Sequence, residues 1–346
     1  MVDLSIVVVN YNNFRVLRAC LASLNEAISD LNCEVIISDN GSIDGSVEWI
    51  RQEYPAFRIL ENGANLGFAE ANNRAFQVAQ GEFIILLNPD TVLEKEPFKT
   101  MMKVLRENPS AGAVGCKLLD PDGSRQMSAR AFPTLTTYFL GLTGLAYHYP
   151  HDGLCGRFDM TYWDGESTRS VDWVSGAALM IRREVLDDVE GLDPYFFLTY
   201  DEVDFCHRIT DAGYEIWYTH QAAITHLDRQ SEPQLNPKPE ARIKYLTVER
   251  NSRVRYFVKH HGYVYASLVE ALHLFLAGGL LLKISLLGTK QSPIVVMEKK
   301  LLWQLYWRTA CRLPKVCWGL VKSCVLGKSD QPQIPLFVNP YLADEH

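Results

Sequence analysis

The sequence predicts an α/β protein: a parallel sheet with helices on both faces, followed by a helical C-terminal extension. Three observations predict it. The first 120 residues alternate short apolar runs with amphipathic stretches, the pattern of strands joined by helices. One apolar run, Phe83 to Leu87, contains no polar residue and stops abruptly at Asn88-Pro89-Asp90, as a strand buried on both faces does at its carboxyl end. From Gly262 the chain turns almost wholly apolar and then basic.

The elements follow in order. Ser5 to Val9 is the first strand. Phe14 to Ser29 is a helix, because Val16, Leu17, Cys20, Leu21, Leu24 and Ile28 share one face. Glu34 to Ser38 is the second strand, and Asp44 to Glu53 a helix with Asp44 as its N-cap. Phe57 to Leu60 is the third strand, and Ala69 to Gln80 a helix that Gly81 ends. After the strand Phe83 to Leu87 come a helix, Glu96 to Glu107, and a fifth strand, Ala113 to Lys117. Asp120-Pro-Asp-Gly123 is a turn signal, and the aromatic, Gly-rich stretch Thr134 to Asp164 reads as a loop-helix insertion over the sheet edge. Val171 to Ile181 returns to strand, Glu202 to Ala212 is a helix, Ile216 to Thr219 a strand, and a long helix runs from about Pro239 to Lys259. Two regions are expected: 1–260, and a helical, basic region at 261–346.

Charge is unevenly distributed. The 346 residues carry a net −7, yet residues 283–328 hold nine Lys/Arg against Glu298 alone, a net +8. Residues 329–346 carry −3, which leaves −12 on residues 1–282. An acidic body argues against a nucleic-acid partner, whereas basic residues interleaved with Trp303, Trp307 and Trp318 suit an anionic membrane surface. The uninterrupted apolar stretch Leu274 to Leu282 is far short of the ~20 residues that span a bilayer. A helix lying in the membrane interface and a helix packed on the protein body are both compatible with it. The eight cysteines form no Cys-x-x-Cys pair, and the start of the chain lacks a basic segment leading into an h-region. Both suggest free thiols in a reducing, cytoplasmic setting.

Each early strand ends in polar, turn-prone residues: Asn10-Tyr11-Asn12-Asn13, Ser38-Asp39-Asn40-Gly41-Ser42, Asn62-Gly63-Ala64-Asn65-Leu66-Gly67 and Asn88-Pro89-Asp90. In an open α/β sheet these converge on one edge, where ligands bind. A nucleotide fits, with Tyr11 for the base, Asp39 for base or ribose, and Asp90 holding a divalent cation against phosphates. No Gly-x-Gly-x-x-Gly and no Walker lysine follows the first strand, which argues against dinucleotide and P-loop sites. Asp201, Glu202 and Asp204 exceed what a helix start needs for capping, and a carboxylate there beside Tyr195-Phe196-Phe197 is placed to act as a general base. His226 can complete a metal shell with Asp90 or contact a diphosphate.

The segments SIVVVNYNN (Ser5 to Asn13), SDNGSIDGS (Ser38 to Ser46), NLGFAEANN (Asn65 to Asn73), LLNPDT (Leu86 to Thr91) and Val174 to Tyr214 together resemble the family 2 glycosyltransferases, most closely their bacterial rhamnosyltransferase branch. The resemblance covers roughly Leu4 to Lys259. It implies a GT-A fold, a Rossmann-like sheet, and an inverting transfer from a nucleoside diphosphate sugar assisted by Mg²⁺ or Mn²⁺. By position it places Tyr11 and Asp39 at the nucleoside, Asn65 and Gly67 in the donor pocket, and Asn88 and Asp90 where the family carries Asp-X-Asp, with Asp90 the metal-binding member. Trp173 and Gly176 fall near acceptor and donor sugar, His226 matches a His after the last sheet strand, and Arg229 and Ser231 lie in the diphosphate-contacting loop. The base maps to Glu202 with Asp201 beside it; the acids stand in reverse order here, so either can hold that role.

The expectation is therefore a glycosyltransferase that moves L-rhamnose from dTDP-L-rhamnose, or a hexose from a UDP-sugar, onto a glycan or polyprenyl-linked acceptor in cell-surface polysaccharide synthesis. It would work in the cytoplasm, peripherally at the inner face of the membrane. One rival is an inactive nucleotide- or glycan-binding subunit of a membrane assembly complex, against which Asp90, Asp201 and Glu202 argue. The other is a nucleotidyltransferase, which would need a basic, Gly-rich loop that Asn10 to Arg15 does not supply.

Overall fold

The computed structural model describes residues 2–94, 96–197, 199–227 and 239–287, and the chain divides into two units. The first comprises residues up to Pro133 together with those from Tyr149. In it β1 (Leu4–Asn10), β2 (Cys33–Asp39), β3 (Arg58–Glu61) and β4 (Phe83–Leu87) run parallel in the order β3-β2-β1-β4. α1 (Phe14–Ala27), α2 (Ser46–Glu53) and α3 (Phe68–Phe76) connect them. β1 and β4 are buried along their whole length; β4 is apolar throughout, and the two polar side chains of β1, Ser5 and Asn10, are hydrogen-bonded. The chain steps from β1 to β2 on one side and then returns to place β4 on the other. A crevice therefore opens at the carboxyl ends of β1 and β4.

Beyond β4 the sheet is mixed, which corrects the expectation of a parallel sheet throughout. β11 (Ala178–Arg182) lies antiparallel between β4 and β6 (Ala111–Leu119), pairing Ala178 with Leu87 and Leu179 with Gly115. The fifth expected strand is thus not the neighbour of the fourth. An apolar run carries no sign of its direction, and β11 arrives from far along the chain. β12 (Glu215–His226) runs parallel to β6, and the short β5 (Thr91–Leu93) closes the order antiparallel to it. The register of β12 shifts between Thr219 and Ala223, so two apolar runs form one strand reaching His226. α4 (Pro97–Glu107), with Pro97 in its first turn, precedes β6. β7 (Arg125–Gln126) folds back on β6 through the Asp120 turn, and β8 (Ala129–Arg130) pairs with β10 (Trp173–Val174). β9 (Arg169–Val171) flanks β12, so the stretch read as one strand over Val171 to Ile181 is in fact three short ones. α7 (Arg183–Asp188) and α8 (Asp201–Asp211) complete this unit.

The second unit comprises Thr134–His148 and the described residues from 239. α5 (Leu135–Thr143), opened by a Thr134–Thr137 capping box, and α6 (Leu145–His148) form its first part. The expected insertion at Thr134 to Asp164 is therefore split: only its first half is helical, and the residues from Tyr149 fold as turns of the first unit. α9 (Pro239–Leu287) continues well past Lys259, with a break at Gly262 (φ 80°, ψ 170°). Glu270 accepts from Arg250 Nε at 2.7 Å and Arg253 Nη2 at 3.2 Å. Twenty residues of straight helix would hold these partners about 30 Å apart, so the two halves of α9 fold back on each other at Gly262. Leu135 N–H donates to Tyr265 Oη at 2.7 Å, tying α5 to the second half.

Asp44 is not itself the N-cap of α2: Gly45 takes that place in a left-handed conformation (φ 81°). The Asp44 carboxylate instead serves two helices. It accepts from Phe14 N–H at 2.8 Å, at the start of α1, and from Ser46 N–H at 3.1 Å and Oγ at 2.6 Å, at the start of α2. Burial alone would raise its pKa, but the bonds from Ser46 and Phe14 outweigh burial and hold the carboxyl below the usual carboxylate range. Asp44→Ala should cost about 1–2 kcal/mol in urea unfolding at neutral pH. Because the folded pKa is depressed, the contribution is complete above the unfolded carboxylate value and disappears as pH falls through the folded one. The gap between wild type and Asp44→Ala should therefore narrow in acid; a gap that widens there would contradict the assignment.

Candidate active site

The polar ends of β1, β2 and β3 form a connected network. Asn10 and Asp39 are register partners at the ends of β1 and β2. Asn10 Nδ2 donates to Asp39 Oδ1 at 2.8 Å and to Ser46 Oγ at 2.8 Å. Asp39 Oδ2 accepts from the backbone N–H groups of Gly41 at 3.0 Å and Ser42 at 2.9 Å. Asp39 is only 2% exposed, and both its oxygens shape the loop after β2. Asn40 Nδ2 donates to Gly67 O at 3.1 Å, and Asn62 Nδ2 to Asn40 Oδ1 at 3.0 Å, so the loops after β2 and β3 are tied together. Asn65 Oδ1 accepts from Gly67 N–H at 3.1 Å. The Tyr11 ring, just past β1, stands exposed at the mouth of this edge.

Gly67 precedes α3 with φ 84° and ψ 175°, a conformation that side-chain-bearing residues avoid. A Cβ on it would lie 2.9 Å from Phe197 Cδ2. Phe68 N–H donates to Phe197 O at 3.4 Å, so the donor-pocket loop is clamped to the aromatic segment before α8.

At the end of β4, Asn88 N–H donates to Ala177 O at 3.0 Å, and Thr91 Oγ1 to Asn88 O at 2.8 Å. Pairing of β5 with β12 sets Thr91 opposite His226. That register brings Asp90 Oδ1 to 3.3 Å from His226 Nε2, and Leu227 N–H donates to Asp90 O at 2.8 Å. A carboxylate oxygen and an imidazole nitrogen this close, at the edge of the crevice, fit the oxygen-and-nitrogen donor set of a divalent cation. His226 Nδ1 faces Gln126 Oε1 at 2.9 Å. Arg229 and Ser231, read as diphosphate contacts, lie outside the described residues.

The acids of α8 divide by burial. Asp204 is fully buried and accepts from Arg208 Nε at 2.9 Å, while Arg208 Nη2 donates to Gly191 O at 2.7 Å; this pair ties α8 to the end of α7. Asp201 is also buried, and burial, with the neighbouring Glu202 charge and hydrogen bond adding to it, pushes its carboxyl well above the usual range. Burial and a second acid beside it both disfavour the charged form of Asp201. Glu202 lies beside Gly176, where a Cβ would meet Glu202 Cβ at 3.6 Å and Phe68 Cε1 at 3.9 Å. Thr199 (φ 63°) and Tyr200 (φ 65°), both left-handed, re-aim the chain into α8 just before the acids. Trp173 is buried, its Nε1–H donating to Ala131 O at 2.9 Å and its ring lying under Arg130.

The structure thus brings together two pairs of candidate functional groups: Asp90 with His226 at the ends of β4 and β12, and Asp201 with Glu202 at the start of α8. Sequence reasoning missed Gln126, because an isolated polar residue has no spacing signal until its partners are in place, and it named Asn40 and Phe197 only as members of their loops, without the contacts they make here. Gly67→Ala should lower stability by about 1–3 kcal/mol in denaturant unfolding, from left-handed strain and the Phe197 ring. Unchanged stability would show that the loop relaxes freely.

A family model described as Glycosyl transferase family 2 matches residues 5–189. An N-acetylglucosaminyl-diphospho-decaprenol L-rhamnosyltransferase of Mycobacterium tuberculosis is 31% identical over 234 residues, 64% of this chain and 75% of that protein. Rhamnosyltransferase WbbL of Escherichia coli K12 is 24% identical over 241 residues, covering 65% and 85%. Among solved structures, mannosyltransferase PcManGT from Pyrobaculum calidifontis, in complex with GDP-Man and Mn²⁺, superposes with a TM-score of 0.51 at 17% identity, over 91% of this chain and 82% of that one. At that identity the likeness speaks to the fold, a GT-A sheet.

Proposed function

This chain belongs to glycosyl transferase family 2 and is a glycosyltransferase, and we propose that it transfers L-rhamnose from dTDP-L-rhamnose, with inversion, to a lipid-linked glycan in bacterial cell-surface polysaccharide synthesis. The observation that carries the reading is the pair of adjacent acids Asp201 and Glu202 in the first turn of α8, beside Gly176. Glu202 takes the proton from the acceptor hydroxyl, whose oxygen attacks the anomeric carbon as the bond to the diphosphate breaks on the opposite side. Asp201 is buried beside Glu202, and because burial raises the pKa of Asp201, Glu202 is assigned the role of base. Tyr11, Asp39, Asn65, Gly67 and Asn88 shape the nucleoside and sugar pocket. Asp90 and His226 would hold Mg²⁺ or Mn²⁺, which when bound supplies positive charge to the leaving diphosphate. The names of the mycobacterial and E. coli relatives support rhamnose, and the mycobacterial name a polyprenyl-linked acceptor.

A screen of nucleotide sugars by thermal shift with Mg²⁺ or Mn²⁺ tests the donor. A ligand at about 100 times its Kd adds about 2.7 kcal/mol to the native state. dTDP-L-rhamnose should give the largest shift; a larger one with a UDP-hexose reassigns the donor. Glu202→Gln should retain the donor shift and lose transfer by about 10²–10⁴. Asp201→Asn, isosteric with the neutral acid, should be far milder. The reverse ranking would make Asp201 the base.

We assign catalysis to residues 1–260 and membrane contact to 261–346, at the cytoplasmic face. Among the described residues no helix is long and apolar enough to cross a membrane. Val264, Leu268, Phe275, Leu282 and Leu286 are exposed, Phe275 at 76%, and their spacing of four and seven puts them on one helical face. Glu270 and His273 are buried on the other. That face and the +8 of residues 283–328, most of which lie outside the described residues, support an interfacial helix over anionic lipid. The protein should sediment with anionic liposomes, salt should release it only in part, and Leu268→Glu with Phe275→Glu should release it. Failure of wild type to sediment at low salt would refute lipid contact.

A further inference from the structure

Gln126 sits on β7, directly after the Asp120 turn, and contacts neither acid of α8. Its amide is fixed by two groups that can only accept, or that accept here: Nε2 donates to Asp120 Oδ1 at 2.8 Å and to His226 O at 2.8 Å. Both amide hydrogens are thereby engaged, and Oε1 is the atom turned to His226 Nδ1 at 2.9 Å. An amide oxygen cannot donate, so Nδ1 must carry a hydrogen. In a neutral ring Nε2 is then a bare lone pair, and it faces Asp90 Oδ1 at 3.3 Å. Two acceptors at that distance repel unless positive charge, a proton or a metal ion, lies between them. We propose that Gln126 is the positioning residue that sets the His226 tautomer, so that Nε2 is offered to a divalent cation beside Asp90.

This proposal rests on the reading of Asp90 and His226 as the cation-binding pair. It reaches one residue further out, to a side chain anchored by Asp120. The physical reason is general: an imidazole ligand binds through one nitrogen, and the hydrogen bond made by the other decides which nitrogen that is. Here the chain of decisions runs from the Asp120 carboxylate, through a single amide orientation, to a single tautomer.

The test reads the ring nitrogens directly. Long-range ¹H–¹⁵N spectra of ¹⁵N-histidine protein, at a pH of about 8 that keeps ordinary imidazoles neutral, should show His226 protonated at Nδ1, both metal-free and with Mg²⁺. The His226 signals are assigned with H226Q. In Q126L the Nδ1 resonance should move toward a mixture of tautomers, and Mn²⁺ affinity, read by electron paramagnetic resonance, should fall about 10–100-fold. Q126A, which removes the amide without adding bulk, should move the Nδ1 resonance the same way. Wild type unprotonated at Nδ1, or Q126L or Q126A folded with the wild-type spectrum, would each overturn the proposal. Should Q126L fail to fold, the wild-type spectrum and Q126A decide. If H226A binds Mn²⁺ as tightly as wild type, the metal reading of His226 fails, while the metal-free spectra still decide what Gln126 does to the ring.

Discussion

The burial of the Asp39 carboxylate is the constraint on which the polar edge at the ends of β1, β2 and β3 depends. A carboxylate taken out of water without partners costs several kcal/mol, so its surroundings must supply donors. They come from three directions: the Asn10 amide at the end of β1 and the Gly41 and Ser42 N–H groups of the following loop. Meeting that demand fixes the register of β1 against β2 and the path of the loop into α2. Asn40, the next residue, passes the constraint on to the loop after β3 through Gly67 and Asn62. The pocket edge is consequently preorganised: its polar atoms are held by each other before any ligand arrives.

The two pairs of candidate site residues are set by different means. Asp90 and His226 meet because β5 pairs with β12 in one register, so strand pairing sets their separation. Asp201 and Glu202 are neighbours in sequence, and what separates their roles is depth. Asp201 is buried, which raises its pKa, whereas Glu202 is half-buried beside Gly176. Asp204, one turn on, is consumed by Arg208. Three acids in four positions thus become a structural anchor, a buried acid and a candidate base, through solvent access alone.

The second unit follows the same logic with opposite polarity. Glu270 interrupts an apolar run, and an isolated charge there would oppose any lipid contact. Folding α9 back at Gly262 gives it Arg250 and Arg253 as partners and turns it inward. The outward face is then free of ionisable side chains at Val264, Leu268, Phe275, Leu282 and Leu286. A buried ion group of this kind adds little net stability, but it dictates which face of the helix points out.

By itself the sequence determined the alternating elements, the strand ends on one sheet edge, the acids at the start of α8 and the family resemblance that the family model and relatives bear out. These are local properties: periodicity, turn chemistry and short motifs are written in neighbouring residues. Only the tertiary structure decided that β11 enters antiparallel between β4 and β6, that Asp44 serves two helix starts, and that α9 reverses at Gly262. It also decided that Gln126, exactly one hundred positions from His226, holds that ring. Strand direction, hydrogen bonds across such separations and the raised pKa of Asp201 depend on what lies nearby in space and on how much water reaches it, and neither is written in the order of residues.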